Sequence, residues 1–381
     1  MNKLLNQIQT EAKNLGFDLI GITSPTTPEH FNTYKDWVDD QSYGNMNYLA
    51  TDKAMQLRKN PQHLLPGCKS IIIVGMRYPI IADNAPSWKK NLSGRIASYA
   101  CGRDYHAFIP LLLEKLKSKI EVLLGRSINA RIFCDTGPIL EKDLAMQAGL
   151  GWIGKNTALV NRHFGSFFFI GELFLDVKID YSISKEEDFC GTCTRCIQAC
   201  PTQCIQDNRT IDTSRCIAYL TIENKSEIPR DIRPLMDNWT FGCDICQLVC
   251  PWNNKHLYEK MSQNEFGSIN SPQFVNLLDI LSYSEIQFNS NYQATPVSRA
   301  KFRGLKRNAI VAIGNSKNPA AIPSLSKALL ENPDPLIRSH AAWALEQIEE
   351  KKAKTILEKA LKAEKIEIVR KEITTALEKI N

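Results

Sequence analysis

The opening segment MNKLLNQIQTEAKNLGF places Leu4, Leu5, Ile8, Ala12 and Leu15 on one helical face, with polar residues between them. This spacing predicts an amphipathic helix. The period then changes. Phe17–Thr23 and Ser70–Gly75 are short apolar runs bounded by turn residues and read as strands, the second buried on both faces. Phe108–Leu124 returns to helical spacing, and Ala130–Cys134 is another short strand. Gly137–Gly151 has Pro138 near its start and Gly149 past its last turn, the punctuation of a helix. Ser166–Leu175 (SFFFIGELFL) closes this stretch as a mostly apolar strand. Residues 1–185 are therefore expected to form a mixed α/β domain. A Rossmann or P-loop nucleotide site finds no support there.

Residues 186–265 are rich in turn residues and short helical segments. Residues 266–381 change again, to helical stretches punctuated by proline. Within them Leu305–Ser316, Leu336–Ile348 and Ile368–Ile380 align on Arg307, Arg338 and Arg370, at spacings of 31 and 32 residues. A repeat of this length with Ala-rich helices points to a HEAT-like helical solenoid. The whole is expected to be a multidomain α+β chain with boundaries at 185/186 and 265/266.

Composition adds limits. With 381 residues, 43% hydrophobic and 23% charged, the chain can bury a core and is not a disordered or fibrous protein. Its longest apolar runs, such as Ile71–Gly75, fall far short of the roughly 18 residues a membrane span needs. No signal-peptide pattern or twin arginine precedes the first helix, so a cytoplasmic protein without a membrane partner is expected. The net charge of +6 is unevenly spread: residues 296–381 hold 17 Lys/Arg against 10 Asp/Glu, and the remainder is near neutral. A basic module on a neutral body suggests a polyanionic partner. The plainer reading is a solvated helical face.

The twelve cysteines change the picture most, because nine of them fall between Cys190 and Cys250. Cys190, Cys193, Cys196 and Cys200 follow C-x2-C-x2-C-x3-C, and Pro201 comes next. This is the bacterial ferredoxin run, in which three thiolates close on one cluster and the fourth ligates its neighbour. A second run, Cys243, Cys246 and Cys250 before Pro251, lacks one member. Cys216 is the best source of it, with Cys204 as the rival. The crossed assignment gives Cys190, Cys193, Cys196 and Cys250 to one 4Fe-4S cluster, and Cys200, Cys216, Cys243 and Cys246 to the other. Structural zinc is the competing reading of CxxC pairs. Cys68, Cys101 and Cys134 have no partner spacing and read as small buried hydrophobes. Two clusters make an electron relay, so a further group must do the chemistry. Asp104-Tyr105-His106 carries part of the D-x-H-x-x-G cobalamin signature but has Ile109 where the glycine belongs, and is not that motif.

Several strings, in order, resemble the epoxyqueuosine reductases of tRNA queuosine modification. They are Arg95–His106 (RIASYACGRDYH), Asp135–Glu141 (DTGPILE), Gly149–Asn156 (GLGWIGKN), Gly165–Glu172 (GSFFFIGE), Arg215–Glu223 (RCIAYLTIE) and Gly242–Asn253 (GCDICQLVCPWN). Ser98 and Cys101 depart from the first string. The resemblance covers nearly all of residues 1–260, and the helical tail is similar to that of longer members. It implies a nitroreductase-like cobalamin-binding domain, a ferredoxin-like two-cluster module and HEAT-like repeats. The activity it implies is reduction of the epoxide of epoxyqueuosine at the tRNA wobble position. A reductase or a ferredoxin- or flavodoxin-type protein would donate electrons, and a monomer is expected.

Removing an epoxide oxygen takes two electrons and two protons, so an acid must stand near the departing oxygen. Asp135 matches the family's acid at the head of DTGP, and an apolar corrin face is expected to raise its pKa. The alternative for Asp135 is a turn or helix-cap role. On the same resemblance Arg58, Tyr99, Trp152, Lys155 and Asn156 join Asp135 as candidates to hold cobalamin. Arg95, Asp104, Tyr105, His106, Arg303, Lys306 and Arg307 are candidates to bind substrate tRNA. Competing functions are a reductive dehalogenase, a ferredoxin-type carrier, which would use only residues 186–255, and a HEAT-like scaffold.

Overall fold

A computed structural model of the chain describes residues 3–80, 87–180, 186–254 and 272–380. The chain divides into two compact units, neither contiguous in sequence. The first takes residues 1–82, 102–214 and 245–269, and the second takes 83–101, 215–244 and 270–381. The boundary expected at 265/266, and residue 185 of the other, lie outside the described residues.

The first unit is built on a four-stranded antiparallel sheet in the order Leu19–Thr23, Ser70–Arg77, Phe168–Leu175, Ala130–Phe133. The two apolar runs take its centre, because only strands covered on both faces can bury every side chain they carry. The helix Tyr105–Leu124 covers one face. Asp104 caps its start by accepting the His106 N–H, and Gly125 ends it in a left-handed turn. Gly171 lets this helix approach, since a Cβ there would lie 2.8 Å from Ile109 Cγ2. On the other face Ile71, Ile73, Phe133, Phe168 and Phe174 pack with Leu144 and Ala145 of the helix Glu141–Gln147. Each such large side chain contributes about 2 kcal/mol by leaving water.

That helix begins four residues later than the Gly137–Gly151 pattern suggests, because Asp135–Leu140 forms a loop. After it, Trp152–Ile153 pairs with Leu159–Val160 in a small hairpin. Gly149, Gly151 and Gly154 have GxGxxG spacing, but they lead into this hairpin rather than joining a strand to a helix N-terminus. They therefore build no phosphate cradle. Gly151 is required for packing: a Cβ would lie 2.1 Å from the Val160 carbonyl oxygen.

The second unit holds a three-stranded sheet with Ser93–Ile96 between Trp239–Phe241 and Phe274–Asn276, followed by paired helices. The three aligned repeats are the inner helices Lys301–Ser316, Pro335–Ile348 and Glu367–Lys379, and Ile322–Glu331 and Lys351–Ala363 are outer ones. The matched arginines explain the alignment. Arg338 donates to the carbonyls of Asn332 and Pro333, and Arg370 to those of Leu361 and Glu364, each satisfying the end of the preceding outer helix. Arg307 does the same for the carbonyl of Leu220 in the last turn of the helix Ile217–Ile222 and for those of Asn224 and Ser226 just beyond it. Arg233, fully buried, pairs with Glu227 and Glu372, and Arg230 with Glu346 and Glu372. Among the described residues no helix is long and apolar enough to cross a membrane.

Candidate active site and cluster ligands

The strand Ala130–Phe133 runs out at Cys134, and Asp135 turns the chain with φ +58°, a left-handed conformation that aspartate tolerates better than most residues. Its N–H donates to Glu141 Oε1 at 2.5 Å, which holds the loop shut over the start of the next helix. The Asp135 side chain is about half exposed, at 47%. Tyr105 O–H donates to Asp135 Oδ2 at 2.5 Å, and His106 Nε2 lies 3.3 Å from the same oxygen. His106 Nδ1 is 2.6 Å from Asp104 Oδ1. With Nδ1 donating to Asp104, neutral His106 presents an acceptor to a protonated Asp135; as imidazolium it donates to both carboxylates. One proton can thus be shared between Asp135 and His106. Tyr105 is fixed by stacking on Phe169 (4.5 Å, 13°), which in turn rests on Tyr78. Two strings thirty residues apart in sequence, Asp104-Tyr105-His106 and Asp135, thereby form one site.

Two further carboxyls belong to this neighbourhood and were not legible as site residues. Burial, aided by the charge of Asp135, pushes Glu141 up to about 8. Glu172, fully buried in the strand Phe168–Leu175, is pushed well up by burial and then by Glu141 and Asp135. Their signals were an acid at the end of DTGPILE and a lone acid in SFFFIGELFL.

In the first unit the loops bearing Cys190, Cys193, Cys196 and Cys250 come together. Burial raises the Cys250 thiol, and Cys190, Cys196 and Cys193 raise it further as like charges, so the four sulfurs share one neighbourhood. Four converging cysteines fit an iron–sulfur cluster, whose iron would supply the positive charge that lets them bind as thiolates. Trp152 Nε1 donates to Cys190 Sγ at 3.4 Å, and Lys155 Nζ donates to the carbonyls of Gly191 (2.7 Å) and Cys193 (3.0 Å). Asn156 Nδ2 donates to the Cys246 carbonyl at 3.3 Å.

Cys200 Sγ lies 3.5 Å from both Cys204 Sγ and Thr202 Oγ1, and the Cys204 hydrogen bond brings the Cys200 thiol down to about 5. Sulfurs bound to different irons of a cubane point away from its corners and cannot touch. Only one of Cys200 and Cys204 can therefore be a ligand in this arrangement. Cys101 is pushed up to about 12 by burial and Cys134 is also raised, as befits unreactive buried thiols; Cys68, expected to be buried, is only partly so, and its thiol is raised by desolvation as well. In the second unit Cys216 precedes the helix Ile217–Ile222, and Cys243 follows Gly242, where φ is +67° and a Cβ would meet Ala97 Cβ at 2.5 Å. Asp244 accepts the Ser98 N–H at 2.7 Å and fixes the next residue of that turn.

Other expected residues are placed differently. Arg58 is buried, donates to the Ala54 carbonyl and lies over the Tyr34 ring, so it packs a helix and presents no surface to a cofactor. Arg95 is buried with its guanidinium 4.6 Å from the Trp239 ring centre, which removes it from any solvent-facing contact with RNA. Arg307 is fully buried on three backbone carbonyls and cannot reach a phosphate. Tyr99 packs beside Phe241. Arg303 is half exposed but paired with Asp334, and Lys306 lies over the Phe302 ring. Trp152, Lys155 and Asn156 direct their polar atoms to the cysteine loops.

Comparison with known proteins follows the same lines. Residues 58–136 match the family model described as epoxyqueuosine reductase QueG, DUF1730. Residues 189–253 match a 4Fe-4S double cluster binding domain, and residues 297–378 match HEAT repeats. The chain is 37% identical over 346 residues to the epoxyqueuosine reductase of Xanthomonas campestris pv. campestris, covering 90% of this chain and 95% of that protein. It superposes on a crystal structure of an epoxyqueuosine reductase with an epoxyqueuosine-modified tRNA-Tyr stem loop (TM-score 0.89, 28% identity, 99% of each chain). It also superposes on the Bacillus subtilis epoxyqueuosine reductase solved with its aspartate-bearing catalytic loop swung out of the active site (TM-score 0.89, 28% identity, 100% of this chain and 99% of that one).

Proposed function

The chain belongs to the epoxyqueuosine reductase family, and from that premise we propose that it reduces the epoxide of epoxyqueuosine in the anticodon loop of tRNA to the alkene of queuosine. The observation that carries this reading is the Asp135–Tyr105–His106 constellation in the unit that also gathers the cysteine loops. The net change is epoxide plus two electrons and two protons to alkene and water.

The chain carries a double 4Fe-4S module, and cobalamin is the second cofactor of this reading. The site suits such a group: one half-exposed carboxyl stands at the rim of an aromatic layer formed by Tyr105, Phe169 and Tyr78. The chemistry a bound cobalamin supplies is low-potential reduction at the epoxide carbon, with the clusters delivering electrons singly. Asp135 is the proton donor to the departing oxygen. Tyr105 and His106 position its Oδ2, and the Asp104 carboxylate orients the His106 ring. A left-handed backbone at Asp135, held by Glu141, suits a loop that presents the acid only in one arrangement.

We assign one cluster to Cys190, Cys193, Cys196 and Cys250, braced by Trp152 and Lys155, while Asn156 holds the Cys246 carbonyl of the other cluster's loop. The other we assign to Cys200, Cys216, Cys243 and Cys246, with Cys204 donating to Cys200. Arg303 and Lys306 are the members of the basic tail proposed to meet RNA phosphates, in a monomer acting in the cytoplasm with a ferredoxin- or flavodoxin-type donor. Anaerobic reconstitution tests the cofactor part: about eight iron and eight sulfide per chain, and a cobalamin spectrum that changes on binding. Iron near four per chain, or cobalamin that stays free, would contradict it.

A further inference from the structure

The string Cys200-Pro201-Thr202-Gln203-Cys204 does more than supply a ligand. Gln203 N–H donates to the Cys200 carbonyl at 3.1 Å, and Gln203 takes a left-handed backbone with φ +52°, uncommon for a side chain of its size. The chain thereby turns back on Cys200. Asp212 N–H donates to the Cys204 carbonyl at 2.8 Å, and Ile205 bridges Ile211 beside it, which pins the far end of the turn. Two side chains thus converge on one sulfur: Thr202 Oγ1 and Cys204 Sγ each lie 3.5 Å from Cys200 Sγ. Both residues are shut off from water, at 1% and 4% exposure, while Cys200 itself is only partly buried. Packing alone does not need a hydroxyl and a thiol here, since apolar side chains would fill the space with no polar group to satisfy.

We propose that Cys204 and Thr202 are positioning residues for the cluster that Cys200 ligates, and that their hydrogen bonds raise its reduction potential. The inference rests on Cys200 being a cluster ligand, as assigned above, and on nothing about the substrate. A ligating Cys200 has no proton to give, so Thr202 O–H and Cys204 S–H donate and the Cys200 sulfur accepts. Reduction adds one electron, taken from the ferredoxin- or flavodoxin-type donor, and no proton leaves Cys204 or Thr202. The added negative charge spreads onto the cluster's sulfurs, so a donor aimed at one of them stabilises the reduced form more than the oxidised one. Burial of both donors strengthens the effect, because water neither competes for them nor screens them. In a two-electron reaction fed one electron at a time, a raised potential lets this cluster hold the first electron while the second arrives.

The test uses the full chain, reconstituted anaerobically, as wild type, Cys204→Ala, Cys204→Ser and Thr202→Val. Each is titrated with reductant in the absence of substrate, and the reduced clusters are followed by electron paramagnetic resonance. Iron should stay at about eight per chain in every variant. At a fixed potential, the ratio of reduced to oxidised form of one cluster should fall about threefold to tenfold in Cys204→Ala and in Thr202→Val, with the other cluster unmoved. That fall is about 30–60 mV for one electron, at roughly 59 mV per tenfold. Cys204→Ser returns a donor to the same place and should recover most of the shift, which a mere packing loss would not show. An unchanged potential in either Cys204→Ala or Thr202→Val overturns the role given to that residue, and a shift that Cys204→Ser does not recover overturns the hydrogen-bond cause. Iron that falls to about four in Cys204→Ala overturns the proposal by making Cys204 a ligand. Wild type that takes up no iron would sink the cluster assignment and the proposal with it, and iron analysis separates that failure from an unmoved potential.

Discussion

Replacing Asp135 by Asn isolates the proposed acid from everything else the residue does. Asparagine tolerates the left-handed backbone at this position. Its side-chain oxygen can still accept from Tyr105, so the loop and its hold on Glu141 should persist. What disappears is the transferable proton. A positioned general acid contributes about 10²–10⁴ in rate, which is roughly 3–5 kcal/mol of barrier at 1.36 kcal/mol per decade. The assay is single-turnover conversion of an epoxyqueuosine stem loop under anaerobic conditions, read by nucleoside mass spectrometry, with iron content and stem-loop affinity measured on the same sample. Conversion should fall by two to four decades while iron and affinity stay at wild-type values. Turnover within about threefold of wild type, well inside the span of a lost acid, would refute the reasoning and return Asp135 to a structural turn.

Three further outcomes follow from the same geometry. Cys216→Ala should lose about half of the reconstituted iron, whereas Cys204→Ala should keep all of it; the opposite result reverses the ligand assignment. Converting Arg303 and Lys306 to Glu should weaken tRNA binding and flatten its salt dependence, while Arg307→Met should instead destabilise the fold by about 3 kcal/mol or more by orphaning buried carbonyls; tRNA affinity that falls with Arg307→Met in protein shown to be folded would sink this division of roles. Glu141 has a folded-state value of about 8 against an ordinary 4.5, so the native state binds the extra proton between these values. Its contribution to stability is therefore present at low pH and is lost as pH rises toward 8, and Glu141→Gln should flatten that decline in thermal unfolding; an unchanged pH slope in the variant would count against it.

The central sheet and the repeat were readable because burial writes itself as apolar periodicity. Ile71–Val74 has no other use than a covered strand, and the Arg307–Arg338–Arg370 alignment marked three inner helices before their partners were visible. The same alignment misled about Arg307: charge was legible, but its burial against carbonyls of a distant segment was not. Arg58 and Arg95 show the same limit, since a guanidinium packed over an aromatic ring looks in sequence like one facing solvent. The compact units were hidden because residues 83–101 and 215–244 join the tail across long separations in sequence. GxGxxG spacing at Gly149–Gly154 likewise carries no meaning without the strand and helix that would flank a phosphate. Asp135 was found through resemblance, Glu141 needed the loop hydrogen bond that joins it to Asp135, and Glu172 needed the strand register, which sets Phe133 beside it across thirty-nine residues.

The most direct test of the account is an electron count. Fully reconstituted protein supplied with cobalamin and a limiting, titrated reductant should convert an epoxyqueuosine stem loop to queuosine with one product formed per two electrons consumed. Electrons consumed without queuosine, or a small organohalide reduced in preference to the stem loop, would contradict it.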